Sequence, residues 1–307
     1  MSPRDDPRVA IVTGDSAPQL TEDGQALAVE LDRRGYDPVP VVWTDSGTDW
    51  STFDLVLVRS CWEYHEDPAT FRELLRRADR AGATVRNPPA VIRWNMHKSY
   101  LLELEATGVS VPPTVWIERE EDIALAEVLE SLGGSDVVVK PTVGTSSEGV
   151  WRATGPITDA MERRFATARA AGDVLVQQFL PAISSGELSF VFVGGAYSHA
   201  SRTIPRVDDF RAHGSHGAEH EPFEPSRTLV SQARAALTAA TERCSVRPAD
   251  LPYARVDGVE REGAFTLLEL ELVEPYLGLC RAEGSVPRFL DALERSIDCR
   301  VSVEGHA

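Results

Sequence analysis

Lysine is almost absent from this chain of 307 residues. Only Lys98 and Lys140 are lysines among 31 basic residues, and all the others are arginines. With 48 acidic residues, the formal net charge is −17. A field of that sign repels nucleic acids and anionic membranes, so the composition predicts neither as a partner. The acid-rich, lysine-poor composition resembles that of halophilic prokaryotic proteins.

Long hydrophobic runs and paired cysteines are also lacking. No apolar stretch approaches the roughly 18 residues that a membrane helix needs. The N-terminus has no charged-then-apolar leader of the signal-peptide type, so we expect a cytoplasmic protein. The absence of C-x-x-C and zinc spacings predicts reduced, mostly buried thiols at Cys61, Cys244, Cys280 and Cys299.

The first third of the chain alternates apolar strands with helical segments. Arg8–Thr13, Asp37–Trp43 and Phe53–Arg59 read as strands, and 22–34 and 69–81 as helices. This β-α-β rhythm predicts a parallel sheet, and the two prolines after Asn87 mark a domain boundary. A chain of this length has room for two or three domains.

Both lysines are candidates for binding phosphate. Lys140 ends an apolar strand and precedes the small-residue loop 142–149, whose hydroxyls and backbone amides could approach phosphate oxygens. A buried lysine needs a partner, and its compact ammonium can reach a phosphate oxygen. The loop is neither a Walker A motif nor a dinucleotide fingerprint, and alone it is more often a simple turn. For Lys98, chance survival of a surface lysine is an equally good explanation.

The stretch 266–275 is a strand that carries charge. Glu269 and Glu271 share one face, because residues i and i+2 of a strand point the same way. An antiparallel partner formed by 253–258 would bring Asp257 opposite them, and three carboxylates would suit Mg²⁺. A hairpin with a solvated acidic face is the equally weighted alternative. The opposite face is expected to enter the core through Leu268, Leu270 and Leu272.

Glu274 lies outside the register of that strand. Pro275 favours an end to the strand before it. We therefore expect Glu274 to face a substrate, while a role as the third metal ligand stays open.

Taken in this order, these features resemble the ATP-grasp superfamily, from about residue 90 to residue 280. The chain looks most like the glutathione-synthetase/RimK-like carboxylate–amine ligases. Among these ligases, it is most similar to the group containing the O-ureido-serine cyclo-ligase of cycloserine biosynthesis. The short motifs that carry this similarity are Val58–Tyr64, Asn87–Pro89, Trp94–Lys98 and Leu270–Tyr276. The resemblance implies an α/β fold with an N-terminal parallel-sheet pre-ATP-grasp domain (1–93). A two-lobed ATP-grasp domain would follow, with a central lobe (94–180) and a C-terminal lobe (181–307).

The resemblance also implies roles for individual residues. ATP phosphates would contact Lys98 and Lys140 beneath the loop with Thr142, Ser146 and Ser147. Adenine would lie at a hinge made of Gln177, Gln178, Phe179 and Leu180, and the ribose hydroxyls would donate to Glu187. Phosphate or the reacting carboxylate would be held by Arg202 and Arg211. Mg²⁺ or Mn²⁺ would be held by Asp257, Glu269 and Glu271.

Two departures from the family pattern stand out. Glu271 takes the place of the usual asparagine ligand and adds a negative charge, and His213 takes the place of an asparagine near Arg211. His213, His216 and His220 have a spacing that could bind zinc, but the glycine- and serine-rich composition favours a mobile flap over the site.

Arg59 and Trp62 follow the third strand. Ligands bind beyond the carboxyl ends of strands in open α/β sheets, so these residues could hold a substrate carboxylate. Packing of Trp62 against the next lobe is an equally good explanation.

The predicted activity is an ATP- and Mg²⁺-dependent ligase. It would join a carboxylate and an amine through an acyl phosphate, on a small amino-acid or peptide-like substrate. The alternatives are an ATP-binding regulatory or structural protein of the same fold, and a zinc hydrolase built on the histidines. Three alternatives stay open at this point. They are the identity of the substrates, the choice between cyclisation and intermolecular ligation, and the oligomeric state, which includes a homodimer.

Overall fold

The computed structural model describes residues 6–134 and 136–304, with side chains up to residue 297. Its strands are β1 (Arg8–Thr13), β2 (Asp37–Val42), β3 (Leu55–Val58), β4 (Thr84–Arg86), β5 (Thr114–Ile117), β6 (Val137–Pro141), β7 (Trp151–Ala153), β8 (Val174–Gln178), β9 (Glu187–Val193), β10 (Ala196–Ile204), β11 (Glu219–Phe223), β12 (Tyr253–Arg261) and β13 (Ala264–Glu271). Its helices are α1 (Glu22–Arg33), α2 (Pro68–Arg80), α3 (Pro89–Asn95), α4 (Tyr100–Ala106), α5 (Leu125–Ser131), α6 (Asp159–Ala171), α7 (Arg227–Arg243) and α8 (Ser285–Glu304).

The N-terminal sheet is parallel, which confirms the prediction from the β-α-β rhythm. Its strand order is β2-β1-β3-β4, and both pairings of β1 are parallel. β3 is buried at every position because helices cover both faces of such a sheet. Helix α1 begins where the Thr21 side chain accepts a hydrogen bond from the Gly24 N–H, an N-cap typical of threonine.

Two antiparallel sheets form the rest of the fold. The central sheet has the order β5-β8-β6-β7 and packs on α5 and α6 through Leu125, Val128 and Phe165. The C-terminal sheet has the order β11-β10-β9-β12-β13, and α7 packs on one of its faces through Ala233 and Leu237. The opposite face of this sheet carries polar side chains toward a cleft.

The segment 95–110 packs on the C-terminal sheet, although we expected it in the central lobe. The Tyr100 hydroxyl accepts from the Leu270 N–H at 3.0 Å, and the Asn95 side chain donates to Leu270 O at 2.8 Å. Leu267 N–H donates to Ser110 O at 2.8 Å. These contacts satisfy the free edge of β13, which would otherwise expose unpaired backbone groups. Packing therefore groups this segment with the C-terminal sheet.

The last helix, α8, joins the C-terminal lobe to the N-terminal sheet. Arg34 at the end of α1 reaches Asp291 and Glu294 of α8, each at 2.8 Å. Phe289 and Leu293 enter the same core as Ile11 and Leu27. The N-terminal sheet is thus closed on one side by a helix from the opposite end of the chain.

The thiols differ in exposure. Cys61, Cys244 and Cys280 are free, as predicted, but only Cys61 is buried and Cys280 is exposed. Cys280 lies in a short 3-10 helix, Leu279–Arg281, that follows β13. The side chain of Cys299 lies outside the described part. Of the helices in 6–134 and 136–304, none has both the length and the apolar character needed to cross a membrane.

Candidate active site

The strand register of the C-terminal sheet assembles a polar surface along the cleft. Asp257 of β12 lies directly opposite Glu269 of β13 and Ser189 of β9. Two residues before Asp257 on β12, Arg255 lies opposite Glu271 of β13. Residues opposite each other share a face and approach to about 5 Å, so these side chains form one array. Asp257 thus lies opposite Glu269, as the sequence predicts, whereas Glu271 lies opposite Arg255.

A β-bulge interrupts this hairpin and changes the position of Leu268. The register shifts between Asp257 and Gly258, so Asp257 faces Glu269 while Gly258 faces Leu267. The extra residue is Leu268, which is only half-buried and lines the cleft. Our expectation that Leu268 enters the core is wrong, because a bulge breaks the alternation of a regular strand. Leu270 and Leu272 are in the core as predicted.

The cleft is a cavity of about 860 Å³. Its lining includes most of the predicted ligand-binding residues: Trp62, Lys98, Lys140, Ser146, Ser147, Gln177, Gln178, Phe179, Leu180, Glu187, Arg211, Asp257, Glu269, Glu271 and Glu274. Three predicted residues, Thr142, Arg59 and Arg202, do not line it.

Carboxylates outnumber cations in the array. Burial, with Asp257 and Glu269 nearby, raises the pKa of Glu187 to about 8. Burial likewise raises the pKa of Glu274 to about 7 and holds that of Glu271 well above its usual value. Burial therefore favours the neutral, protonated form of these three carboxyl groups.

Arg255 is half-buried among the carboxylates and was not identified from the sequence. Its guanidinium donates to Asp257 Oδ1 and Oδ2, each at 3.0 Å, and makes a short contact with Glu271. It also donates to Tyr276 O at 2.9 Å. Its position two residues before Asp257 on one strand would have placed it on the same face.

In the described residues, no three histidine, cysteine or acidic side chains come together as a group that could hold a metal ion. This differs from the expected convergence of Asp257, Glu269 and Glu271. The Arg255 guanidinium lies between Asp257 and Glu271, and Glu269 turns to Lys98, with Lys98 Nζ 2.9 Å from Glu269 Oε1. Asp257 and Glu269 stay neighbours across the hairpin.

The two lysines point into the same cleft from different elements. Lys98 Nζ donates to Gly144 O at 2.5 Å, which ties it to the loop 142–149. Lys140 Nζ donates to Gln177 Oε1 at 3.0 Å and to Leu268 O at 3.4 Å. Burial lowers the pKa of Lys140 to about 8, and the Lys98 charge acts in the same direction. Both ammonium groups lie at one end of the carboxylate array.

Thr142 lies beneath the loop rather than in the cleft. It is buried, and its hydroxyl donates to Asp173 O at 3.1 Å. Its role here is to anchor the start of the loop to the end of α6. The hydroxyl-bearing residues that reach the cavity are Thr145, Ser146 and Ser147.

The predicted hinge forms the apolar end of the cavity. Gln178 N–H donates to Pro113 O at 2.8 Å and Phe179 N–H to Asp136 O at 2.7 Å, so these two amides are engaged within the fold. Phe179 packs edge-on against Phe210, with ring centres 6.0 Å apart. Phe210 lines the cavity and was not identified from the sequence, because it lies in the long polar segment between β10 and β11.

The two predicted catalytic arginines have different positions. Arg211 lines the cavity and donates to Asp209 Oδ2 at 2.7 Å. Arg202 lies on the other face of β10, with its guanidinium 4.4 Å from the centre of the Phe223 ring. Its neighbours Ser201 and Thr203 face the cleft, so strand alternation turns Arg202 away. The expectation that Arg202 contacts phosphate or substrate does not fit this placement.

Arg59 is buried between the N-terminal sheet and the C-terminal lobe. It is 4% exposed, donates to Pro275 O at 2.9 Å, and stacks 4.8 Å from the centre of the Tyr253 ring. The expected substrate contact does not fit, because residues of the C-terminal lobe cover the guanidinium. Trp62, which follows it, does line the cleft.

The opposite end of the cavity is polar and includes residues that sequence reasoning missed. His199 contacts Leu277 O through Nε2 at 2.7 Å, and Arg288 of α8 donates to Ser198 Oγ at 3.3 Å. Both line the cavity with Arg281 and Tyr276. Arg281 and Arg288 lie outside the segments that carry the family resemblance.

The three histidines of the polar segment do not gather at one point. His213 and His216 have ring centres 6.3 Å apart, whereas His220 faces Tyr276 at 6.5 Å. His213 and His220 line the cavity, and His216 does not. The segment lies over the cleft, as expected for a flap, and its histidines are not among any metal-holding group in the described residues.

Comparison with known protein families agrees with this architecture. Residues 9–87 match the family described as "D-cycloserine synthetase DcsG, N-terminal domain". Residues 102–239 match "Prokaryotic glutathione synthetase, ATP-grasp domain". The two matches are separated by residues 88–101, and together they include most of the N-terminal sheet, the loop 142–149 and the hinge.

Individual proteins show the same similarity. The cycloserine biosynthesis protein DcsG of Streptomyces lavendulae is 32% identical over 261 residues, covering 82% of this chain and 86% of that protein. A glutathione synthetase of Prochlorococcus marinus (strain MIT 9313) is 29% identical over 232 residues, covering 68% and 72%.

Solved structures share the fold. The crystal structure of D-cycloserine synthetase DcsG superposes with a TM-score of 0.84 at 30% identity, covering 94% of this chain and 99% of that one. D-alanine–D-alanine ligase from Bacillus anthracis, complexed with ATP, superposes with a TM-score of 0.70 at 18% identity, covering 96% and 99%. The latter similarity concerns the fold alone.

Proposed function

We propose that this chain, which belongs to the ATP-grasp family of ATP-dependent carboxylate–amine ligases, forms an amide through an acyl phosphate on a small amino-acid or peptide-like substrate. The observation that carries the proposal is the cleft itself. It joins an apolar hinge, two buried lysines under a small-residue loop, and a paired aspartate and glutamate. A regulatory ATP-binding protein would have no need for the polar pocket beyond them.

Adenine is proposed to lie at the apolar end, against Phe179, Leu180 and Phe210. Glu187 lies two residues before Ser189 on β9 and faces the cleft, where ribose hydroxyls can donate to it. The phosphates then extend toward Lys98 and Lys140. In this orientation the apolar end of the cavity holds adenine, and the two lysines meet the anionic phosphates.

The donor chemistry of the array fits a divalent cation. Asp257 and Glu269 supply hard carboxylate oxygens from adjacent strands, and a bound cation would favour the ionised form of the buried carboxyl groups around them. We propose these two as the Mg²⁺ or Mn²⁺ ligands, with Glu271 held by Arg255. When bound, the cation would neutralise charge on the triphosphate.

The reaction requires no protein nucleophile. A substrate carboxylate oxygen attacks the γ-phosphorus of ATP, the bond to the bridging oxygen breaks, and ADP leaves. An amine then attacks the acyl carbon, phosphate leaves, and the amine gives up a proton. The protein positions the groups and neutralises charge through Lys98, Lys140 and Arg211.

The polar end of the cavity is proposed to hold the substrates. Arg281 and Arg288 bring positive charge there, and His199, Ser198 and Tyr276 bring polar groups. A guanidinium pairs well with carboxylate groups of amino-acid-like substrates. This end also lies beside Glu274, which fits the expected role of that residue on the substrate side.

Phosphate release from Mg²⁺-ATP over a panel of amino acids and dipeptides tests the proposal. The expected result is release that depends on a specific carboxylate together with an amine, with an amide detected by mass spectrometry in equal amount. ATP binding without substrate-dependent turnover across the panel would contradict it.

A further inference from the structure

The loop over the proposed phosphate site is attached to the N-terminal domain. The Thr145 hydroxyl lies 2.5 Å from Trp62 O and 3.0 Å from His65 Nδ1. On the other side of the loop, Glu148 Oε2 lies 3.0 Å from His65 Nε2. The turn 62–65 therefore contacts the loop on both sides of Ser146 and Ser147.

Those two serines have a backbone conformation that needs support. Ser146 and Ser147 have φ values of +53° and +57° and both line the cavity. A non-glycine residue in this left-handed region is strained, and the conformation persists when surrounding contacts hold it. The contacts that flank the pair are those of Thr145 and Glu148 to the turn 62–65.

The inner side of the same loop touches the catalytic machinery. Gly144 O accepts from Lys98 Nζ at 2.5 Å, one residue before Thr145. The loop is thus held between a lysine proposed to contact phosphate and a turn of the N-terminal domain. Trp62, whose carbonyl is part of the contact, also presents its side chain to the cavity.

We propose that Thr145, His65 and Glu148 are positioning residues that form a latch, in which the turn 62–65 holds the loop 142–149 closed over the transferred phosphoryl group. The N-terminal domain thereby completes the water-excluding wall of the site. The inference rests on the proposed function, since it takes the cleft beneath Ser146 and Ser147 as the phosphate site. Without the latch, water reaches the acyl phosphate and cleaves it to carboxylate and phosphate before the amine attacks.

Thr145→Val and His65→Ala test the latch, with phosphate and amide measured in the same reaction. The wild-type ratio of phosphate to amide is expected to be near one. In both variants we expect a ratio raised at least about threefold and an amide kcat lowered about tenfold, with a smaller change in the KM of the amine. Thr145→Ser keeps the hydroxyl and should restore the wild-type ratio.

Matched controls separate the latch from general effects of charge and folding. Glu148→Gln weakens the contact to His65, whereas Glu66→Gln makes the same change at an exposed neighbour of the turn whose side chain has no hydrogen bond or ion pair with the loop. We expect a raised ratio for the former only. Equal ratios in Thr145→Val, His65→Ala and wild type would overturn the proposal.

A second readout does not depend on turnover. A glutamate-specific protease can cleave after Glu148, and mass spectrometry can follow that bond. Cleavage should be several-fold faster in Thr145→Val and His65→Ala than in wild type and Glu66→Gln. Identical cleavage rates would refute the latch even if no substrate pair were found, whereas faster cleavage without any ligation would refute the proposed function and leave the latch standing.

Discussion

The pKa of Lys140 predicts a specific pH dependence of ATP use. Burial lowers it from the usual 10.5 to about 8. Each pKa unit corresponds to about 1.4 kcal/mol, so the buried ammonium is disfavoured by roughly 3 kcal/mol relative to water. In the proposed complex with ATP, phosphate oxygens would relieve that cost. Above pH 8 the side chain is neutral in the free enzyme and has no charge to offer them.

We therefore expect kcat/KM for ATP to fall about tenfold between pH 7 and pH 9, with an apparent pKa near 8. The assay is phosphate release at limiting ATP and saturating second substrates, so that the free enzyme is the titrating species. Lys140→Arg keeps the charge at all these pH values, because guanidinium does not titrate there. Lys140→Arg should have a lower kcat/KM for ATP than wild type, and its kcat/KM should not fall above pH 8.

Stability gives a second measure of the same effect. Because the folded pKa lies below the unfolded value, this lysine disfavours the folded state below pH 8, and that penalty disappears between pH 8 and 10.5. Lys140→Met should thus be more stable than wild type at pH 7, by up to about 3 kcal/mol, while losing ATP affinity. A wild-type profile that is flat to pH 9, or an identical fall in Lys140→Arg, would refute the reasoning.

Three further predictions concern the array and the arginines. Asp257→Asn and Glu269→Gln should each lower kcat at least about 100-fold without lowering the melting temperature appreciably, and unchanged phosphate release in both would contradict the metal-ligand proposal. Arg59→Gln should destabilise the protein by about 1–3 kcal/mol in thermal unfolding with substrate KM values unchanged, whereas a raised KM at wild-type stability would indicate a substrate contact. Arg211→Ala should lower kcat about 100-fold while Arg202→Ala stays within about tenfold of wild type, and equal losses would show that both reach the reacting groups.

Local patterns predicted most of the elements. The parallel N-terminal sheet and the hairpin of β12 and β13 follow from alternation, because apolar runs between turns form strands and residues of like parity share a face. The same parity rule failed at Leu268, where a bulge adds one residue that no local pattern announces. Strand alternation also places Arg202 on the face of β10 that points away from the cleft. Similarity to family motifs does not reveal which face of a strand a residue occupies.

The sequence indicated an ATP-grasp ligase through its resemblance to that superfamily. The same resemblance pointed to Lys98, Lys140, Asp257 and Glu269, because these residues stand at matching positions along the chain. Contacts between distant segments decided the rest. Arg255 became the counter-ion of Glu271 because two strands pair in one register. His65 meets the loop at Glu148 although 83 residues separate them. Such contacts depend on how sheets and helices pack, and packing is a property of the whole folded chain.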